Sequence, residues 1–254
     1  MNLGTGQFVK LSSLLRKAIP AMSVSVLASV FAMSAQATTL ILNGDFELTT
    51  GAASGELGYN TNVTGWTTSG YNFLFTPGQA DSTGTTGQYG NLKLWGPGDG
   101  SINGLPATSP TGGNYVAADG AFQVSPLSQT VDGLLPGERY AVGFWWGGAQ
   151  QYTFNGATTE KWTVTLGSES YSTSVIADAN HGFTGWQYQT FTFLATASTE
   201  TLSFLATGTP NGTPPFSLLD GVTLTETPEP GTWVAVLAGI VILRWKYKAR
   251  RVSQ

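Results

Sequence analysis

Apolar and polar positions alternate over short runs through the middle of the chain. Leu127-Ser128-Gln129-Thr130-Val131, Trp162-Thr163-Val164-Thr165-Leu166 and Phe191-Thr192-Phe193 follow period two, that of a half-buried strand. The most apolar run is 140–146. Tyr140, Val142, Phe144 and Trp146 form one face, expected to point at a core, and Ala141, Gly143 and Trp145 form the other. Further strands are predicted over 40–42, 115–118, 171–175, 186–194, 202–206 and 216–224, with a short pair inside 66–75. Turn residues separate them: Asn43-Gly44-Asp45, Asp119-Gly120, Leu135-Pro136-Gly137-Glu138 with Pro and Gly where a type II turn wants them, and Gly167-Ser168. No helical period of apolar residues survives between 38 and 227. The pattern predicts an all-β, antiparallel β-sandwich. One stretch resists placement. Residues 76–114 are dense in Gly, Pro, Ser and Thr around one apolar island, Leu92-Lys93-Leu94-Trp95, and so hold either a functional edge or strands that the pattern does not show.

Both ends break this pattern. Lys10, Arg16 and Lys17 precede an apolar run over 18–33, and Ala35-Gln36-Ala37 is an A-x-A cleavage sequence. Residues 1–37 therefore read as a helical signal peptide, cut by signal peptidase. At the other end, Pro228-Glu229-Pro230 forms a rigid break, 232–243 are uncharged and apolar, and Arg244, Lys246, Lys248, Arg250 and Arg251 close with positive charge. Twelve helical residues rise about 18 Å against a bilayer core of about 30 Å, so the predicted transmembrane helix is short. Trp245, Tyr247 and the snorkelling Lys and Arg stems extend its reach, and the cations keep its C-terminal end cytoplasmic.

The order Pro-Glu-Pro, Trp233, a Gly inside the apolar run, then Arg-Arg resembles the PEP-CTERM sorting signal of Gram-negative bacteria. The resemblance implies an exported protein held transiently in the inner membrane, processed by the membrane peptidase exosortase, and placed at the cell surface or in an exopolysaccharide biofilm matrix. The short apolar run departs from the pattern. Three segments follow: signal peptide 1–37, β-sandwich domain 38–227 and sorting tail 228–254.

Charge sharpens the picture of the domain. Setting the two ends aside leaves Lys93, Arg139 and Lys161 against fourteen acids, a net charge near −11. Such a body repels nucleic acid and polyanionic glycans at long range and suits divalent cations. There is no Cys, so packing must supply stability without disulfides.

Asn43-Gly44-Asp45-Phe46-Glu47, the run from Leu134 to Tyr140, Gly185-Trp186 with Phe191-Thr192-Phe193, and Leu219-Asp220-Gly221-Val222-Thr223-Leu224 come in an order that resembles the galactose-binding-like jelly rolls, including carbohydrate-binding modules. In those proteins the first and last strands meet near a structural calcium. The resemblance nominates Glu47 and Asp220 as calcium ligands; Gly221 stands where the family often has a second Asp.

Period two places Phe216, Leu218, Asp220, Val222 and Leu224 on one face, so Asp220 is a carboxylate in an apolar row, which must be paired, protonated or on a metal. Trp145 shares its face with small residues, an arrangement suited to stacking a sugar ring. With Phe191 and Phe193 turned inward, Tyr188 is its companion, and together they are the candidate polysaccharide contact. The only His, His181, lies in a turn-like stretch near Asp178, and neither a G-x-S-x-G nor a metal-spaced His pair is present. No carboxylate pair stands out as a glycosidase dyad. Asn62-Val63-Thr64 and Asn211-Gly212-Thr213 match the glycosylation sequon, a chance match in a bacterial chain. The expectation is a non-catalytic surface or matrix protein that contacts polysaccharide. The alternatives are a calcium-stabilised structural protein without a sugar site and, last, a glycan hydrolase.

Overall fold

The computed structural model describes residues 39–227. The signal peptide, including Ala35 and Ala37, and the sorting tail, including Pro228, Glu229 and Pro230, lie outside the described residues.

Fifteen strands and one short 3-10 turn, Pro97–Asp99, make up the described chain. In order they are β1 (Thr49–Gly51), β2 (Gly55–Glu56), β3 (Thr61–Val63), β4 (Asn72–Phe75), β5 (Thr85–Gly87), β6 (Gly90–Leu92), β7 (Tyr115–Asp119) and β8 (Leu127–Asp132). There follow β9 (Arg139–Gln150), β10 (Thr158–Leu166), β11 (Glu169–Ser172), β12 (Ile176–Asp178), β13 (Gln187–Leu194), β14 (Thr199–Thr209) and β15 (Pro215–Glu226). A six-stranded sheet runs β13-β9-β15-β7-β4-β2, and a five-stranded sheet runs β11-β10-β14-β8 with β12 also on β10. All of these pairings are antiparallel. From β7 to β10, and again from β13 to β15, the chain changes sheet at each successive strand.

The two sheets close on one core. Tyr140, Val142, Phe144 and Trp146 of β9 face Trp162, Val164 and Leu166 of β10 and Leu202 and Phe204 of β14. Phe193 is buried there and Phe191 packs against it, as the alternation predicts. Trp162 ties the layers together: it is fully buried and its Nε1 donates to the Leu218 carbonyl at 3.0 Å.

A second core lies on the opposite face of the six-stranded sheet. Phe73 and Phe75, Tyr115 and Ala117, and Phe216 and Leu218 point outward from β4, β7 and β15. Ala80, Leu92, Leu94 and Leu105 cover them. This accounts for the stretch 76–114. It contains β5, β6 and the 3-10 turn, and it forms a third layer over the sheet. Its strands are three residues each, too short to show a period.

The segment 40–42 is extended but is not a regular strand. Leu40 N–H donates to the Leu224 carbonyl at 2.9 Å and Val222 N–H to the Gly44 carbonyl at 2.8 Å, so it lines the last strand through separate contacts. Within 66–75 only β4 is a strand; Thr67 makes an isolated bridge to Ser128.

Candidate functional site

The expected single apolar face of the last strand is corrected by a bulge. Asp220 pairs with Trp145, but the next paired residue, Thr223, meets Gly143, so β15 carries one extra residue. Gly221 absorbs it at φ +61°, a left-handed conformation that favours glycine. The faces therefore exchange at this point. Phe216 and Leu218 look outward to the second core, whereas Leu219, Val222 and Leu224 look inward to the first. Asp220 does not share a face with Val222 and Leu224.

Asp220 is fully buried. Ser109 Oγ and Thr111 Oγ1 both donate to its Oδ2, and its Oδ1 has no partner. Burial pushes its pKa up to about 7, the two hydroxyls oppose the rise, and nearby Asp45 adds to it. Glu47 is exposed, and its Oε1 accepts from Asn114 N–H at 2.5 Å. The two sequence-predicted calcium ligands thus grip one segment, 109–114, from its two ends. The donors are oxygen alone, the type a hard cation takes: the carboxylates of Glu47 and of Asp220, whose Oδ1 is orphaned, and the hydroxyls of Ser109 and Thr111. Glu47 and Asp220 would hold the ion, which would supply the positive charge that the orphaned oxygen lacks.

Trp145 and Tyr188 are brought together as the sequence reading expects. Tyr188 is the cross-strand partner of Trp145, and Asp220 is its partner on the other side, so the three residues form one row across β13, β9 and β15. The rings lie 5.3 Å apart at 58°. Tyr188 is 54% exposed and Trp145 partly buried. The small residues decide the geometry. A Cβ on Gly143 would run into the Tyr188 hydroxyl, and one on Gly221 would lie 3.2 Å from Trp145 Cδ1.

Two features escaped the sequence reading. At the end of the six-stranded sheet, Tyr71, Tyr89 and Phe122 pack at 5.3 to 5.8 Å around a cavity of about 290 Å³, closed by Asp119, Phe154 and Pro214. Tyr89 is 62% exposed, and Gln123 Nε2 donates to its hydroxyl at 2.7 Å. Asp119 accepts from Ala121 and Phe122 N–H, and burial pushes its pKa up to about 6. Aromatic residues isolated in Gly- and Ser-rich loops were the available signal. The second feature is a buried acidic pair, Glu160 and Asp178.

His181 is a turn residue at φ +59°, as its setting predicts. Its Nε2 lies 2.8 Å from Asn155 Oδ1, and its ring stacks on Trp95 at 3.7 Å.

No known family profile matches the chain. Halomucin of Haloquadratum walsbyi is 27% identical over 219 residues, which are 82% of this chain and 2% of that protein. The chain therefore spans a small fraction of this curated relative. Among solved structures, TmCBM61 in complex with beta-1,4-galactotriose is 18% identical, with a TM-score of 0.39 over 75% of this chain and 100% of its own. A CBM4 structure is 16% identical, with a TM-score of 0.33 over 74% of this chain and 99% of its own. The N-terminal cellulose-binding domain of the Cellulomonas fimi beta-1,4-glucanase C is 16% identical, with a TM-score of 0.29 over 46% of this chain and 79% of its own. These neighbours are carbohydrate-binding modules. The description of the fold rests on the strands and sheets themselves.

Proposed function

We propose that the chain is an exported, non-catalytic surface or matrix protein of a Gram-negative bacterium, whose jelly-roll sandwich contacts extracellular polysaccharide. Signal peptidase acts at Ala35-Gln36-Ala37. Exosortase acts near Pro228-Glu229-Pro230, after transient anchoring in the inner membrane. The row Tyr188–Trp145–Asp220 carries the reading. Two rings over glycine-cleared backbone offer a sugar its apolar contact and a hydroxyl partner. A structural calcium held by Glu47 and Asp220 fixes segment 109–114 against the Trp145 side of the row.

Affinity electrophoresis of the full chain against a panel of soluble polysaccharides tests this. Trp145→Ala and Tyr188→Ala are expected to abolish retardation while leaving the melting temperature within about 2 °C, since neither ring belongs to a core cluster. Unchanged retardation in both variants removes the row from any glycan site. The exposed ring of Tyr89 at the 290 Å³ cavity supports a second placement of the same function. Loss of retardation in Tyr89→Ala alone would move the contact there. No retardation by any glycan would favour the purely structural reading.

A further inference from the structure

Four oxygens are buried without a hydrogen-bond partner at one place on the inner face of the five-stranded sheet: Glu160 Oε1 and Oε2, Thr158 Oγ1 and Asp178 Oδ2. Register puts them together. Thr158 and Glu160 share the buried phase of β10, and β12 sets Asp178 opposite Thr158 and Ile176 opposite Glu160. Asp178 is thus the diagonal neighbour of Glu160, within reach of a carboxylate side chain. Glu160 is 0% exposed, Thr158 2% and Asp178 3%.

The surroundings bring space but no positive charge. A Cβ on Gly148 would lie 2.5 Å from Glu160 Oε2, and one on Gly182 would collide with Asp178 Oδ1. Two glycines therefore form a cradle that any other residue would fill. His181 is turned to Asn155 and Trp95, and Lys93 is paired with Asp99 at 3.6 Å. Asp178 also lines a surface cavity of about 400 Å³, bounded by Ser101, Asn103, Asn180 and Phe183, which gives a route from solvent. Two buried carboxylates that face each other, with only the Thr158 hydroxyl and the Ala179 N–H to oppose their charge, are costly unless a cation joins them or they take up protons.

We propose that Glu160 and Asp178, with the Thr158 hydroxyl, form a binding site for one hard divalent cation, with calcium as the probe. Two carboxylates balance a charge of +2, and a donor set of oxygen alone suits a hard ion. The site is independent of Asp220, on β15, and of Glu47, in the loop before β1, which grip a different segment. Burial pushes Glu160 up to about 8, the Thr158 hydroxyl opposing the rise and Asp178 adding to it, and pushes Asp178 up to about 7 against the Ala179 N–H. Cation binding must therefore displace protons near neutral pH.

Calorimetric titration of the EDTA-stripped full chain with calcium at pH 7 tests the site. Asp220→Asn is used as the parent, which removes the other proposed site. The parent is expected to bind one equivalent and to release protons, seen as a binding enthalpy that varies with the buffer's own ionisation enthalpy. Adding Glu160→Gln and Asp178→Asn, with unchanged near-ultraviolet circular dichroism, should weaken binding at least 100-fold. Retained affinity in that variant overturns the site, as does a parent that takes up no calcium at millimolar concentration. Should the double variant fail to fold, Glu160→Gln alone in the same parent decides: unchanged calcium affinity overturns the proposal. Glu160→Gln with Asp178→Asn in the natural Asp220 background separates the two readings: polysaccharide retardation intact there would leave the functional reading standing.

Discussion

Asp220 and Glu160 are buried to the same degree, and burial raises both carboxyls toward or above neutrality. Their neighbourhoods differ. Asp220 receives two hydroxyl donors from segment 109–114, which the chain folds over the sheet for this contact among others. Glu160 has only the Thr158 hydroxyl beside it and faces a second acid. The difference separates two ways of holding a buried acid. One is solved by the polypeptide itself, with a metal as an addition; the other remains open until something enters from solvent or the acid takes a proton.

The largest effect is expected from making the first site like the second. Ser109→Ala with Thr111→Val strips Asp220 of both donors and should cost about 3 kcal/mol, a fall of roughly 6–12 °C in Tm measured in EDTA at pH 8. A fall below 2 °C would mean that the hydroxyls do not satisfy Asp220.

Next is the bulge that sets Asp220 apart. Gly221→Ala forces a left-handed alanine whose Cβ would lie 2.7 Å from Thr111 Cγ2. The expected cost is about 2 kcal/mol by chemical denaturation. An unchanged midpoint would show that β15 keeps its register without the glycine.

The pH dependence sharpens the contrast. These acids have raised folded pKa values, so the folded state keeps protons that the unfolded chain releases. The stability that these three groups contribute without metal is therefore full below about pH 4 and is lost as the pH rises toward 7 to 8. Saturating calcium should abolish the decline. A calcium-free Tm that rises over this range would contradict the sign.

The smallest effect belongs to neutralising the second site. Glu160→Gln in EDTA should raise Tm by about 2–4 °C at pH 8 and leave it unchanged at pH 4. A drop at pH 8 would show that the carboxylate already has a favourable partner.

The sandwich was legible because its core strands keep strict alternation. Tyr140 to Trp146 and Trp162 to Leu166 point where period two says they must. Alternation also put Tyr188 on the outer face with Trp145, once Phe191 and Phe193 were turned inward, but the register that pairs them is set by the folded sheet. The last strand misled because one residue out of phase exchanges every face beyond it, and a glycine reports a bulge only when its partner strand is known. Glu160 was missed because β10 begins at Thr158, four residues before the apolar alternation that marks it. In Thr158-Thr159-Glu160-Lys161 the buried phase is polar, and a hydrophobic pattern cannot register it. The outer layer was illegible for a related reason: Leu92, Leu94 and Leu105 are scattered among turns, and only the folded sheet gives them a common target.

That outer layer has a consequence for any polymer that meets this protein. With the middle of the broad sheet roofed over, a long glycan cannot lie across it as on an open trough. At the β13 margin the ring of Tyr188 stays exposed beside Trp145. A grip so small is weak on its own, so lasting adhesion to a matrix would have to come from many copies acting along the same strand of sugar.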